Sequence, residues 1–280
     1  MNVQLVHNTY GKHRVRVSKI KRDTGDPSKH ELVEATIDVV LEGELEAAYL
    51  QGDNSSVVAT DTCKNTIYVL AKEDPFDSIE SFGVTVAEHF LKTYDHLTLA
   101  TVTLVQKQWA RLLECPHAFT GNDAELPTAT VVARRGQATR VTAGLRDLVI
   151  AKTTQSGFAN FHRDKYRTLP DTDDRIFATS VTASWEYDSV PQDPHAARRS
   201  VRSAMLSRFI DHYSRSVQET LMLMGKAALE SCRDAASITL TMPNKHHILA
   251  NLQPFDHSND NEVFVVTDEP FGFIQATVAR

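Results

Sequence analysis

The order of extended and helical segments is the feature that most limits the folds open to this chain. In the first half, alternating Val15 and Val17 and a β-branched run at 32–49 predict two strands. Helix-starting residues follow at Thr60, and a second helix is predicted with Asp77 or Ser78 as its N-cap. Strand composition then returns. The second helix has one apolar face at helical spacing, formed by Ile79, Phe82, Val86, Phe90 and Tyr94.

The second half repeats this order. Strand-like segments at 145–155 and 176–187 lead into one helix starting near Pro194 and another that includes Leu221 and Met224. Strands are predicted again within 237–246 and 261–279. The pattern is therefore ββααββ, twice, and it predicts tandem units at 1–136 and 137–280. The halves share no residue-level identity, so this duplication is inferred from element order alone.

Strands grouped before and after helices predict an α+β fold, with antiparallel sheets that carry helices on one face. A four-stranded sheet in each half would leave two edges with unpaired backbone groups. Such edges are usually paired or covered. An assembly that joins the sheets of several chains into a tunnel-shaped barrel would remove them.

Composition and charge exclude several classes of function. The net charge of −6 gives no basic surface for nucleic acid. No apolar run approaches the roughly 18 residues of a membrane span, and the N-terminus lacks the pattern of a signal peptide. The three cysteines are widely spaced and form no CxxC pair, which favours reduced thiols in a cytoplasmic protein. These cysteines are Cys63, Cys115 and Cys232.

Four short segments contain residues suited to chemistry: "YGKHRVRV", "GDNSSVVATDTCKNT", "TTQSGFANFHRDKYRTLPDTDDR" and "PNKHH". A hydroxyl at the helix start near Thr60 lies close to backbone N–H donors, which suits an anionic ligand. The planar fork of Arg175 suits bidentate contact with an anionic ring. In an extended segment, Asn244 and His246 point to the same side of the chain.

Taken singly, these residues have ordinary structural interpretations: an edge lysine at position 12, a helix cap at Thr60, a core aromatic at Phe158 and an ion-pair residue at Arg175. A metal site at His246 and His247 is disfavoured, because adjacent strand residues point to opposite faces and no cysteine or carboxylate lies close by in sequence.

Together, in this order and at these separations, the four segments resemble the urate oxidase (uricase) family of the tunnelling fold, over nearly the whole chain. The resemblance implies oxidation of urate by dioxygen and water to 5-hydroxyisourate and hydrogen peroxide, without a metal or any other cofactor. It also implies a homotetramer whose active sites lie between subunits. The chain ends in "ATVAR" rather than a peroxisomal signal of the Ser-Lys-Leu type, which favours a bacterial-type cytoplasmic enzyme.

The resemblance also implies roles for individual residues. Lys12, Thr60 and His246 correspond to a catalytic proton relay. Thr60 and Asp61 correspond to contacts for bound species. The remaining positions correspond to substrate-binding residues: Phe158 stacks on the purine, Arg175 and Gln218 clamp it, Val217 offers a backbone N–H, Leu169 forms part of the wall, and Asn244 binds dioxygen and later water.

Two alternatives belong to other functional classes. One is a non-catalytic purine- or pterin-binding protein of the same fold. The other is a metal-dependent pterin enzyme, which would need cysteine and histidine zinc ligands near the pocket. Metal analysis separates the second from a uricase, because only the pterin enzyme would require stoichiometric zinc for activity.

Overall fold

The computed structural model describes residues 3–22, 25–26 and 29–280, and the chain divides into two compact units. The first unit contains residues 1–144 and 186–195, and the second contains residues 145–185 and 196–280. The predicted tandem boundary at 136/137 rests on the repeat of element order, and it stays a prediction.

The first unit is an antiparallel sheet with helices. Its sheet order is β1-β2-β3-β5, and the short β4 pairs with the end of β3. The elements are β1 Tyr10–Lys21, β2 Glu31–Gly43, α1 Glu46–Gln51, α2 Thr60–Glu73, α3 Ile79–Thr93, β3 Leu97–Arg111, β4 Phe119–Asn122 and β5 Leu126–Arg134.

Helix α3 packs its apolar face on the sheet of the first unit. Ser78 is its N-cap and forms a capping box with Ser81, as the sequence predicts in part. A Cβ on Gly83 would lie 2.7 Å from the Val131 side chain, so the helix and sheet are in close contact there. The helix ends at Thr93, so the predicted continuation to Tyr94 is wrong by one residue, and Tyr94 is the C-cap.

The second unit follows the same plan with an additional hairpin. Strand β11 pairs with β8, while β9 pairs with β10 and with the start of β7. The elements are β6 Arg140–Lys152, β7 Phe177–Tyr187, α4 Pro194–Ile210, α5 Val217–Ser231, β8 Ala235–Thr241, β9 Asn244–Leu249, β10 Phe264–Gly272 and β11 Gln275–Ala279. Strands β6 and β7 and helix α4 each cross a boundary between the residue ranges of the units.

The predicted α+β class with antiparallel strands is confirmed, and so is the ββααββ order once α1, β4 and the β9–β10 hairpin are added. The extended run predicted at 32–49 is too long. Strand β2 ends at Gly43, and Glu46–Gln51 form α1, whose C-cap Gly52 has the left-handed conformation. Among the described residues, no helix is long and apolar enough to cross a membrane.

Candidate active site

A cavity of about 490 Å³ lies in the second unit, which is a suitable size for a small planar ligand. Its wall comes from the loop between β6 and β7, the start of α5, strand β9 and the turn between β10 and β11. The residues that line it are Phe158, Leu169, Pro170, Thr172, Arg175, Ile176, Val217, Gln218, Asn244, Lys245, His246, His247, Ile248, Gly272 and Ile274.

Two cations line this wall: Lys245, whose ammonium pairs with Asp268 at 2.9 Å, and Arg175. The Arg175 Nε is buried, and within the described chain it has no hydrogen-bond acceptor. The Arg175 Cζ lies 5.5 Å from the ring centroid of Phe158 and 5.9 Å from that of Phe177. Burial lowers the pKa of Arg175, but a guanidinium stays charged at any physiological pH. A half-buried cation whose buried Nε donor is unused favours an anionic ligand.

Backbone hydrogen bonds hold Phe158 and Arg175 in place. Phe158 and Thr172 exchange backbone bonds of 2.7 Å and 3.0 Å. The Arg175 N–H donates to the Ser156 carbonyl at 2.8 Å, and the Gly157 N–H donates to the Ser214 carbonyl at 2.8 Å. The loop is therefore bonded on both sides, which fixes its two functional side chains.

The ring of Phe158 is supported from one side. It stacks on Phe161 with the ring centroids 4.7 Å apart and an interplanar angle of 9°. The Arg167 Cζ lies 4.1 Å from the centroid of the Phe161 ring and extends the stack. Phe158 also lines the cavity, so it offers a flat, rigid surface on which an aromatic ligand can stack.

Helix α5 begins at the cavity. Ser216 is its N-cap, and the Ser216 hydroxyl accepts a hydrogen bond from the Glu219 N–H at 3.1 Å. Val217 and Gln218 are the first two helical residues, so their N–H groups have no partner within the helix. These N–H groups and the positive end of the helix dipole favour a negative charge on the side of the cavity where α5 begins.

Strand β9 contributes Asn244 and His246 side by side, with Asn244 Nδ2 3.5 Å from His246 Nδ1. The expectation that both point to one side is confirmed. His247, the next residue of the strand, also lines the cavity. Among the described residues, no group of three or more His, Cys, Asp or Glu side chains is placed to hold a metal ion.

The other three predicted site residues, Lys12, Thr60 and Asp61, lie in the first unit and do not line this cavity. Thr60 is the first residue of α2, and Ala59 is the N-cap without a side-chain bond, so the simple cap interpretation of Thr60 is wrong. The Lys64 ammonium, 2.5 Å from the Asp61 carboxylate, is the main cause of the lowered pKa of Asp61. Lys12 has a smaller effect in the same direction on the pKa of Asp61.

Sequence reasoning missed several residues of the wall. Pro170, Thr172 and Ile176 lie in the loop that also contains Leu169 and Arg175, and only this proximity in sequence signals them. Ile274 and Gly272 lie at the turn between β10 and β11, far along the chain from every predicted site residue. No sequence pattern marks them, because the pairing of β10 with β9 brings them to the cavity.

Antiparallel sheets with packed helices, and a cavity that joins a half-buried arginine, a stacked phenylalanine and a helix N-terminus, define an α+β protein with a site suited to a planar anion. A family model described as Uricase matches residues 8–132 and 141–275. The chain therefore belongs to the uricase family.

Curated relatives and solved structures agree with this assignment. A uricase from Arthrobacter globiformis is 41% identical over 278 residues, with 99% of this chain and 90% of the relative covered. A uricase from Dictyostelium discoideum is 39% identical, with 99% and 97% covered. The crystal structure of the Arthrobacter globiformis uricase matches with a TM-score of 0.96 at 40% identity, with 100% of this chain and 96% of that chain covered.

Proposed function

We propose that this protein is a urate oxidase that converts urate, dioxygen and water into 5-hydroxyisourate and hydrogen peroxide without a metal, flavin or haem. The observation that carries the proposal is the cavity of the second unit, whose wall includes Phe158, Arg175, Gln218, Asn244 and His246. The names of the relatives support the same activity, because each of the two described above is a uricase.

The substrate would bind as an anion between the guanidinium and the helix start. Arg175 would donate two hydrogen bonds to one edge of the ring, which satisfies its unused buried donor. Gln218 would bind the opposite edge through its amide, beside the backbone N–H of Val217. Phe158 would stack on the ring, and Leu169 would close the wall.

Catalysis requires that the substrate itself become electron-rich. A relay of Lys12, Thr60 and His246 would remove a proton from the bound monoanion, while Arg175 stabilises the resulting charge. Two electrons from the dianion would reduce dioxygen, held at Asn244, to a peroxide bound to ring carbon C5. Loss of hydrogen peroxide and addition of water at C5 would give 5-hydroxyisourate, which balances the atoms and electrons.

We also propose that the active protein is a homotetramer in the cytoplasm. Lys12, Thr60 and Asp61 of one subunit would complete the cavity formed by the second unit of its neighbour. The need of open antiparallel edges for partners supports the proposal.

The test is direct assay of the purified protein with urate in air-saturated buffer. Loss of the ultraviolet absorbance of urate, oxygen uptake and peroxide release should proceed in equal amounts. Arg175→Ala is the control that tests whether the activity depends on the described cavity. Metal analysis of the active protein tests whether a metal is required. Binding of urate without oxygen uptake would replace this proposal with a non-catalytic purine-binding protein.

A further inference from the structure

The first strand contains an irregularity next to Lys12. Lys12 pairs with Val39 of β2 and Val15 pairs with Ile37, so His13 and Arg14 together stand opposite the single residue Asp38. Two residues against one define a β-bulge. Bulges bend a strand and redirect the side chains beside them, and they are often found next to active sites.

The Asp38 carboxylate closes this bulge. Its Oδ1 accepts the Arg14 backbone N–H at 2.5 Å, and its Oδ2 lies 3.4 Å from His13 Nδ1. Arg14 has a φ of 58°, which a side chain other than glycine adopts only at an energetic cost. The bond from the carboxylate to the Arg14 N–H offsets this cost, so Asp38 is the group that stabilises the unusual backbone.

The other side of Lys12 is fixed as well. The Tyr10 hydroxyl accepts the Val58 N–H at 3.0 Å, which ties the start of β1 to the loop before α2 and Thr60. A Cβ on Gly11 would lie 1.9 Å from the Val39 carbonyl oxygen, so only glycine permits this approach of the two backbones. Lys12 therefore stands between a fixed contact at Tyr10 and the bulge at 13–14.

We infer that Asp38 is a positioning residue for the reaction: it holds the bulge that directs the Lys12 ammonium towards the start of α2. The inference rests on the proposed function, in which Lys12 belongs to the proton relay. Asp38 acts through the backbone of Arg14 and touches no substrate. The effect of the Lys12 charge on the pKa of Asp61 is consistent with this direction of its side chain.

The experiment compares four variants with the unaltered protein. Asp38→Ala should lower kcat by roughly tenfold or more, because small misplacements of a reacting group are costly. The affinity of Asp38→Ala for an inert urate analogue should change less than twofold, whereas a substitution in the cavity wall should lower that affinity. Asp38→Asn should keep most of the turnover, because the amide oxygen can still accept the Arg14 N–H.

Two further variants separate positioning from a general loss of stability. Adding Arg14→Gly to Asp38→Ala should restore kcat, since glycine adopts a positive φ without the carboxylate. The matched control His13→Ala removes the other partner of Asp38, leaves the backbone bond, and should change kcat less than twofold. The rate at which acetic anhydride modifies Lys12, measured by mass spectrometry, should change in Asp38→Ala and not in His13→Ala.

Unchanged turnover and unchanged Lys12 modification in Asp38→Ala would overturn the inference. Turnover that falls in Asp38→Ala and is not recovered with Arg14→Gly would also overturn it, since the carboxylate would then act by another route. An unaltered protein that fails to oxidise urate refutes the proposed function instead. In that case the modification rates still decide whether Asp38 positions Lys12.

Discussion

At the scale of single residues, Arg175 is the side chain whose environment most constrains the ligand. Arg175→Ala should weaken binding of an inert urate analogue by on the order of 2–5 kcal/mol, because it removes a charged bidentate contact at a desolvated site. Titration calorimetry measures the loss. Arg163→Ala is the matched control, because Arg163 lies in the same loop with its side chain 73% exposed. Equal affinities for both variants would contradict the proposed clamp.

The proposed relay predicts a different response in Lys12, Thr60 and His246. Lys12→Met, Thr60→Ala and His246→Ala should each lower kcat far more than they weaken binding of the analogue, since a relay acts on the chemical step. Because the three groups act as one unit, the triple variant should lose much less than the product of the single losses. Steady-state kinetics on all four variants tests this, and multiplicative losses would argue against a shared relay.

His212 provides a prediction about pH. Burial lowers the pKa of His212, whose Nδ1 donates to the Arg208 carbonyl at 2.7 Å while Nε2 accepts from Thr220 Oγ1 at 2.9 Å. Because the pKa of His212 is lower in the folded state, folding favours the neutral imidazole. The contribution of His212 to the free energy of unfolding is therefore fully present above the unfolded pKa of about 6.5 and is lost as pH falls through the folded pKa.

The free energy of unfolding should therefore decrease from pH 7 towards pH 5 by a smaller amount in His212→Asn than in the unaltered protein. Urea unfolding at several pH values measures it. The difference between the two proteins isolates His212 from the other histidines, and parallel curves would contradict the assignment.

At the scale of elements, the loop that presents Phe158 depends on a close approach at Gly157. A Cβ there would lie 2.2 Å from the Tyr213 hydroxyl oxygen and 2.9 Å from the Thr172 carbonyl oxygen. Gly157→Ala should displace the loop and weaken analogue binding by roughly tenfold or more, because a displacement near 1 Å is enough to spoil a preorganised site. Fluorescence or calorimetric titration measures it.

The same contact offers a partial rescue. The Tyr213 hydroxyl donates to the Asp173 carbonyl at 2.5 Å, so Tyr213→Phe alone should cost one hydrogen bond. In the Gly157→Ala background it should recover part of the affinity, since it removes the nearer of the two clashes. The clash with the Thr172 carbonyl remains, so we expect only partial recovery. Complete recovery would show that the backbone can move away from this carbonyl.

At the scale of the whole molecule, the second unit has surface that favours association. Val265 and Val266 on β10 are 56% and 61% exposed, and among the described strands β10 pairs only with β9. An exposed apolar edge strand is normally covered by a partner. Light scattering or analytical ultracentrifugation tests the proposed homotetramer, and the isolated monomer should be inactive.

Mixing two inactive variants tests whether each site draws on two chains. Thr60→Ala and Arg175→Ala, combined in equal amounts under subunit exchange, should recover roughly a quarter of the activity if assembly is random. Each variant incubated alone through the same exchange is the control. Native mass spectrometry shows that exchange has occurred. Mixed tetramers without activity would place each site within one chain.

The sequence by itself determined the class of the fold and the family. Periodicity and caps depend on neighbouring residues, so Ser78 as a helix start and the strand pattern around Val15 can be read locally. The long motifs around Arg175 and His246 are also runs of neighbouring residues, so they could be recognised in the sequence and identified the family. The local signal failed after Gly43, where strand-like composition predicted an extended segment and the chain instead forms the short helix α1, with Gly52 as its C-cap.

Only the tertiary structure decided which residues share a surface. The pairing of β9 with β10 brings Gly272 to Asn244, and backbone bonds across the loop bring Phe158 to Thr172. The bulge opposite Asp38 also needs two strands in register before it exists. These contacts join residues far apart in sequence, and their free energy arises only after the chain between them has been ordered. For that reason no local pattern marks them.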